Sequence, residues 1–341
     1  MPELPEVETI CRGIRPHIAG RKIENIRHSG KKLRTPVPLN EMLRILINKS
    51  IIDVRRRAKY ILVEMEDSSL LIIHLGMTGN LGILTTAREI AKHCHLRFHL
   101  DNGMELRYTD PRRFGSVHVL SHNEAKDIET TFFGTTGPEP FSNDFKPEYL
   151  LQKAYNRSIP VKTFIMTNQI VAGIGNIYAN ESLFIAGIHP QTNASTIKHK
   201  SWETLIKCAR GVLAHAIDCG GSTISDYVNA LQEKGYFQIN FQVYGREGKS
   251  CNRCGSNIIK QNIGGRASYI CPICQRLLCI ATLRTLLTQK KPLLSAAAFF
   301  HHTLRISIYF FFLRVPARAA KPAPKSNIVA GSGTGVWTVP K

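Results

Sequence analysis

HLRFHLDNGMELRYTD, residues 95–110, sets two alternating stretches on either side of Asn102-Gly103. Apolar and polar side chains exchange with the period of a half-buried strand. Asn-Gly between two such stretches is the strongest short-range hairpin signal, because both residues tolerate the positive φ that a tight turn needs. The segment predicts two antiparallel strands. Upstream, YILVEMEDSSLLIIHLGM (60–77) has two apolar runs broken at Asp67-Ser68-Ser69, a second hairpin. Residues 20–120 therefore read as mostly strands, forming a β-sandwich or barrel-like domain.

The flanks read differently. Residues 5–18 predict a helix: Pro5 suits its first position, Glu6 and Glu8 suit the positive end of its dipole, and Val7, Ile10 and Ile14 form an apolar stripe. Glu3 stands ahead of Pro5 and so outside the reach of that dipole. FFGTTGPEPFSNDF (132–145) reads as a linker, with the boundary set at 131–145. The following residues are helical in pattern, as in SWETLIKCARGVLAHAI (201–217), and the glycines of NQIVAGIGNIYANESLFIAGI (168–188) separate two helical segments. A small cysteine module closes the ordered pattern. The expected organisation is thus α+β and multidomain: a β-sandwich domain with a leading helix (1–130), a helical domain (146–240) and a cysteine module (241–275), for which the motifs below supply catalytic, DNA-binding and zinc-finger roles in turn.

Of the 341 residues, 45 are Lys or Arg and 25 are Asp or Glu, for a net charge of +20. Such a balance points to a polyanion, with nucleic acid favoured over membrane. Residues 276–341 hold ten Lys or Arg and no acid, so half the charge lies in the last stretch. Residues 293–313 are apolar and aromatic, but His301, His302 and Arg305 interrupt them, which argues against a membrane span. The first residues are acidic and lack the apolar core of a secretory signal. Five cysteines (Cys11, Cys94, Cys208, Cys219 and Cys279) are scattered, as reduced thiols in a reducing cytoplasm would be.

Cys251-x2-Cys254 and Cys271-x2-Cys274 form the other cluster. Two such knuckles can converge on one tetrahedral thiolate site, the arrangement Zn²⁺ prefers, and four thiolates leave no open position for catalysis. The loop between them carries Arg266 beside Gly264-Gly265. It reads as a hairpin finger offering Arg266 to phosphate, or as a solvated arginine on a turn. RRRAKY (55–60) is a basic cluster in which Lys59 precedes an apolar run. YTDPRRFG (108–115) sets Arg112 and Phe114 on a turn, suited either to entering a base stack or to burying Phe114 in a tight turn.

Taken together, PELPEVET (2–9), RRAKY, HLGMTG (74–79), YTDPRRFG, VAGIGNIYANE (171–181) and the paired CxxC knuckles resemble bacterial formamidopyrimidine-DNA glycosylase, the 8-oxoguanine DNA glycosylase/AP lyase, over about residues 1–275. The resemblance implies a β-sandwich, a helix–two-turn–helix domain and a zinc finger, with damaged double-stranded DNA in the cleft and the lesion flipped out. It implies a monomer with one structural zinc on Cys251, Cys254, Cys271 and Cys274. Pro2, freed by removal of Met1, would be the nucleophile, Glu3 the general acid/base and Glu6 a supporting carboxylate. Lys59, grouped with these catalytic residues, would grip the bent backbone together with His74, Asn176 and Arg266. Met77, Arg112 and Phe114 would fill the void left by the flipped base, and Lys162 would contact the lesion. Two alternatives stay open: an endonuclease VIII-like enzyme for oxidised pyrimidines, and a zinc-finger protein that recognises damage without cutting. Lesion choice lies in the loop around 226–240. Thr167 stands where the family usually has Asp, read as a local capping change. The segment 276–341 matches nothing in the family and resembles a read-through extension, the alternative being a tail with non-specific DNA affinity.

Overall fold

The chain begins with α1 (Leu4–Ile18), β1 (Ile23–His28) and α2 (Leu39–Leu46). Seven strands follow: β2 (Ile51–Arg57), β3 (Tyr60–Met65), β4 (Leu70–His74), β5 (Asn80–Thr85), β6 (Cys94–Leu100), β7 (Met104–Thr109) and β8 (Ser116–Leu120). This is a computed structural model, and it describes residues 2–221 and 241–277. The loop 226–240, Cys279 and the basic segment from 278 onward lie outside the described residues.

The strands form two antiparallel four-stranded sheets, ordered β1-β6-β7-β5 and β2-β3-β4-β8. Both expected hairpins are present. Gly103 takes φ 75° while the Asn102 side-chain Oδ1 accepts the Met104 amide at 3.1 Å. At the other turn Ser68 takes φ 63° and the Asp67 carboxylate accepts the Ser69 amide and hydroxyl. Inward residues of both sheets, among them Ile61, Val63, Leu71, Ile73, Phe98, Leu106 and Tyr108, make one core with the apolar stripe of α1. The leading helix is therefore part of the sandwich.

Two short helices, α3 (His122–Ala125) and α4 (Ile128–Thr131), lead to the linker. It is a fixed strap. Arg210 donates to the carbonyls of Pro140, Ser142 and Phe145, and the Glu139 carboxylate receives the Ala58 amide at 2.6 Å and pairs with Arg56 and Arg57. The helical part holds α5 (Pro147–Ala154), α6 (Val161–Ile165), α7 (Asn176–Ile185) and α8 (His199–Asp218). Trp202, Leu205, Ala209, Leu213 and Ala216 line the inner face of α8 at helical spacing. Burying such a face supplies about 1.5–3 kcal/mol for each large apolar side chain, which fixes α8 against α7. A hairpin of β9 (Ile259–Ile263) and β10 (Arg266–Ile270) ends the described chain. Among the described residues no helix is long and apolar enough to cross a membrane.

One detail of α1 positions the site. Its stripe packs in the sandwich, but Leu4 is fully buried in the core of the helical part, and the Leu4 amide donates to Gly173 at 3.1 Å. The first residues are thus wedged in the seam between the two cores.

Candidate active site and metal centre

Helix α1 starts at Leu4, one residue earlier than its pattern suggests, so Pro5 takes the second position and Glu3 is the N-cap. Glu3 is 2% exposed, and its carboxylate accepts the amides of Gly175 (2.9 Å), Ile177 (3.0 Å) and Tyr178 (3.4 Å). These are the free N–H groups that open α7, a ready anion site. The expectation that Glu3 escapes a helix dipole is corrected here: it caps one helix and faces the positive end of another. Burial raises its pKa above the usual glutamate range. The Lys59 ammonium opposes that rise, Glu6 adds to it, and the Ile177 and Tyr178 amides oppose it. Glu6 supports the arrangement, accepting the Glu3 amide at 2.8 Å and the Tyr178 hydroxyl at 2.6 Å. Half-buried Pro2 directly precedes this pair.

Lys59 follows Ala58, which takes φ 54° in the two-residue turn between β2 and β3. Arg56 and Arg57 are consumed by Glu8, Glu129 and Glu139, so in RRRAKY they anchor the turn that aims Lys59. Burial lowers the Lys59 pKa against the pull of Glu3 and Glu6. Lys59 shares a cleft of about 240 Å³ with Tyr60, His74, Met166, Asn168 and Ile174. Burial, helped by the Lys59 charge, lowers the His74 pKa to about 4. Its Nδ1 accepts the Gly76 amide at 3.1 Å, which places the ring proton on Nε2, free to donate to an anion. Asn168, exposed just after α6, had no sequence signal that marked it as a cleft residue.

Met77 and Phe114 are 36% and 45% exposed, and the Arg112 guanidinium lies 4.6 Å above the Phe114 ring. Phe114 is exposed beneath the Arg112 guanidinium and is not the buried turn residue of the other reading. Lys162 is enclosed within the protein. Its side chain has no exposed surface, and the ammonium donates to Ala267 O and Ser268 Oγ, both at 2.7 Å. It ties the β9–β10 hairpin to α6, where the resemblance implied a contact with the lesion. Burial lowers its pKa to about 8.

Asn180 adds a second tie, accepting the Tyr269 amide at 2.9 Å. Exposed Arg266 follows the Gly264-Gly265 turn, both at positive φ, as the tip of this clamped hairpin. Asn176, half-buried, opens α7 beside the Glu3 amides. The buried Glu181 carboxylate accepts the amides of Gln242, Val243 and Tyr244 and so seats the entry to the cysteine module. Burial raises its pKa while these donors oppose the rise. The sulfurs of Cys251, Cys254, Cys271 and Cys274 all lie within 4.8 Å of one another, and the cysteines are unbridged. A tetrahedral site with metal–sulfur bonds near 2.3 Å requires sulfurs about 3.8 Å apart, so the cluster can hold one metal ion.

Residues 1–117 match the family model of the formamidopyrimidine-DNA glycosylase N-terminal domain, and residues 136–228 match that of the formamidopyrimidine-DNA glycosylase H2TH domain. The formamidopyrimidine-DNA glycosylase of Legionella pneumophila strain Philadelphia 1 is 45% identical over 275 residues, covering 81% of this chain and 98% of that one. The chain belongs to the formamidopyrimidine-DNA glycosylase family. The family's enzyme from Nitrosococcus oceani is 44% identical over 275 residues, covering 81% of this chain and all of that one. Among solved structures, Lactococcus lactis Fpg in complex with DNA containing an abasic site has a TM-score of 0.74 at 34% identity. MutM with DNA containing carbocyclic 8-oxo-G gives the same two values, and each match covers 81% of this chain and all of the other.

Within this formamidopyrimidine-DNA glycosylase fold, Thr167 donates its hydroxyl to Thr163 O at 2.9 Å and closes the end of α6, a local role in keeping with its reading as a capping change. Gly175 has a sharper task. A Cβ there would stand 2.3 Å from the Glu3 carboxyl carbon. Gly175→Ala is expected to displace that carboxylate and to slow excision by about 100-fold, the scale of an ångström-sized misplacement. Single-turnover excision beside thermal melting checks this: the rate should fall while the fold survives.

Proposed function

We propose that this chain is a bifunctional base-excision repair enzyme. It excises oxidised purines, 8-oxoguanine and formamidopyrimidines, and then cleaves the abasic strand by β,δ-elimination. The observation that carries the reading is the Glu3 carboxylate, buried in the seam at the N-terminus of α7, immediately after Pro2 and beside Lys59.

The chemistry follows from these groups. With Met1 removed, Pro2 is a secondary amine with a pKa near 8, so far more of it is unprotonated at neutral pH than of a lysine. Its lone pair forms the N–C1′ bond as the base departs with the electrons of the glycosidic bond. The ammonium proton is lost and the C1′–O4′ bond opens. O4′ takes a proton from Glu3, whose raised pKa keeps that proton available. The resulting iminium acidifies C2′–H. Loss of that proton expels the 3′ phosphate, a second elimination expels the 5′ phosphate, and attack of water on the iminium carbon releases the sugar fragment as its aldehyde and restores Pro2. Lys59, neutral His74, Asn176 and Arg266 hold the backbone phosphates. Met77, Arg112 and Phe114 stack where the base has left. Zinc is the ion that four converging thiolates select, and it would supply no chemistry but keep Arg266 in place.

Excision rates on duplexes containing 8-oxoguanine opposite C or thymine glycol opposite A test the proposal. Faster release of 8-oxoguanine is expected. Preference for thymine glycol would favour the endonuclease VIII-like reading, and binding without release of either base would favour the non-catalytic one.

A further inference from the structure

Three residues are assigned to the void left by the flipped base, but they come from two different loops. Met77 lies between β4 and β5, and Arg112 and Phe114 lie between β7 and β8. Separate loops would each lose conformational freedom on entering DNA. The structure joins them through Asp110, which is fully buried. One carboxylate oxygen accepts the Thr78 hydroxyl at 2.7 Å and the Arg112 amide at 3.3 Å. The other accepts the Gly115 amide at 2.9 Å and the Tyr108 hydroxyl at 3.1 Å. Thr78 belongs to the Met77 loop, and its Oγ1 also accepts the Arg112 amide at 3.2 Å.

The backbone beneath is held as firmly. The Asp110 amide donates to His93 O at 3.0 Å. The Asp110 carbonyl can only accept, so His95 Nε2 carries the proton of their 3.0 Å bond, and His95 Nδ1 accepts from Ser29 at 3.0 Å. The loops also touch directly: a Cβ on Gly76 would meet Gly115 N and the Phe114 carbonyl carbon at 2.4 Å. Arg113 sits at φ 57°, a left-handed conformation that a side-chain-bearing residue keeps only where surrounding bonds impose it.

We propose that Asp110 is a positioning residue for lesion extrusion, and that its bond to Thr78 makes Met77, Arg112 and Phe114 enter the duplex as one preformed wedge. This rests on the reading of those three side chains as void-filling. Asp110 touches no DNA in this account; it acts through the loops it ties.

Thr78→Val tests the tie, because it removes the hydroxyl with little change of shape and leaves the Tyr108 and Gly115 bonds to Asp110 in place. Losing this linkage should slow single-turnover excision of 8-oxoguanine about 10-fold. Thr78→Ser should restore the rate to within about two-fold. The deciding measurement is a double-mutant cycle with Phe114→Ala. If the tie acts through the wedge, Thr78→Val has little further effect in the Phe114→Ala background. Fluorescence of 2-aminopurine placed opposite the lesion should report weaker stacking disruption on binding of Thr78→Val. Full additivity of the two substitutions, or an unchanged rate in Thr78→Val, would overturn the proposal. An unchanged rate in Phe114→Ala alone would overturn the void-filling reading instead, and the proposal with it.

Discussion

Glu3→Gln is expected to lower single-turnover excision of 8-oxoguanine by about 10²–10⁴-fold, the range for removing a positioned general acid or base. Affinity for the lesion duplex should change little, because Glu3 is 2% exposed and its partners are backbone amides of α7. The fold should survive as well. Gln keeps one oxygen for the Gly175 and Tyr178 amides and turns an NH₂ toward Ile177, a mismatch of about 1–3 kcal/mol. The loss of a buried carboxylate offsets that mismatch. Burial raises the folded-state pKa of Glu3, so its ionisation costs stability as pH rises above the unfolded-state value, and the amide removes that cost. The rate profile follows the same sign. The protonated carboxyl is depleted as pH climbs through the raised value, so the wild-type excision rate should fall on that limb. The Pro2 amine is protonated as pH drops, which sets the other limb. Glu3→Gln should lose the limb that belongs to the carboxyl. Full activity in Glu3→Gln would remove it from the chemistry.

The second large effect is expected at the cysteine cluster. Cys271→Ser should abolish stoichiometric zinc and weaken lesion-duplex binding by about 100-fold, equivalent to about 2.7 kcal/mol. Structural zinc contributes about 10–16 kcal/mol to a small module, more than a core of this size can replace. The apolar cluster around Phe184, Val243 and Ile258 includes Cys251 and Cys271 themselves, so it cannot assemble normally without them. Loss of the module releases Arg266 and strips Lys162 of both acceptors, Ala267 O and Ser268 Oγ. The sandwich has its own core, so its melting transition should persist. Elemental analysis and fluorescence anisotropy, read beside a melting curve, separate these outcomes. Unchanged affinity in a protein without bound metal would contradict the role given to the finger.

What could be read from the sequence depended on how local each signal was. Asn102-Gly103 and the CxxC knuckles state their geometry within a few residues: the hairpin forms and the four cysteines converge. The stripe of α1 was legible too, but not its first residue, since Glu3 becomes an N-cap only when the chain is folded. The environment of Glu3 was out of reach for the same reason. Its partners lie more than 170 residues away, and no spacing pattern marks Gly175 as the residue that must lack a side chain. Lys162 shows how little residue type alone says about burial. A lysine in a basic, DNA-directed chain invites a contact role, yet its acceptors on β10 bury it completely. Asp110 was visible inside YTDPRRFG, but its function needed the Met77 loop beside it. Arg56 and Arg57 read as a charge run and resolve into anchors only once the linker supplies Glu139.

The central claim is that the N-terminal amine of Pro2 is the nucleophile, and borohydride reduction during reaction with an 8-oxoguanine duplex tests it most directly. A covalent protein–DNA adduct is expected. After digestion, the nucleotide fragment should map to the first peptide, with Met1 absent and the mass carried on Pro2. No adduct, or an adduct on Lys59 or another lysine, would contradict it.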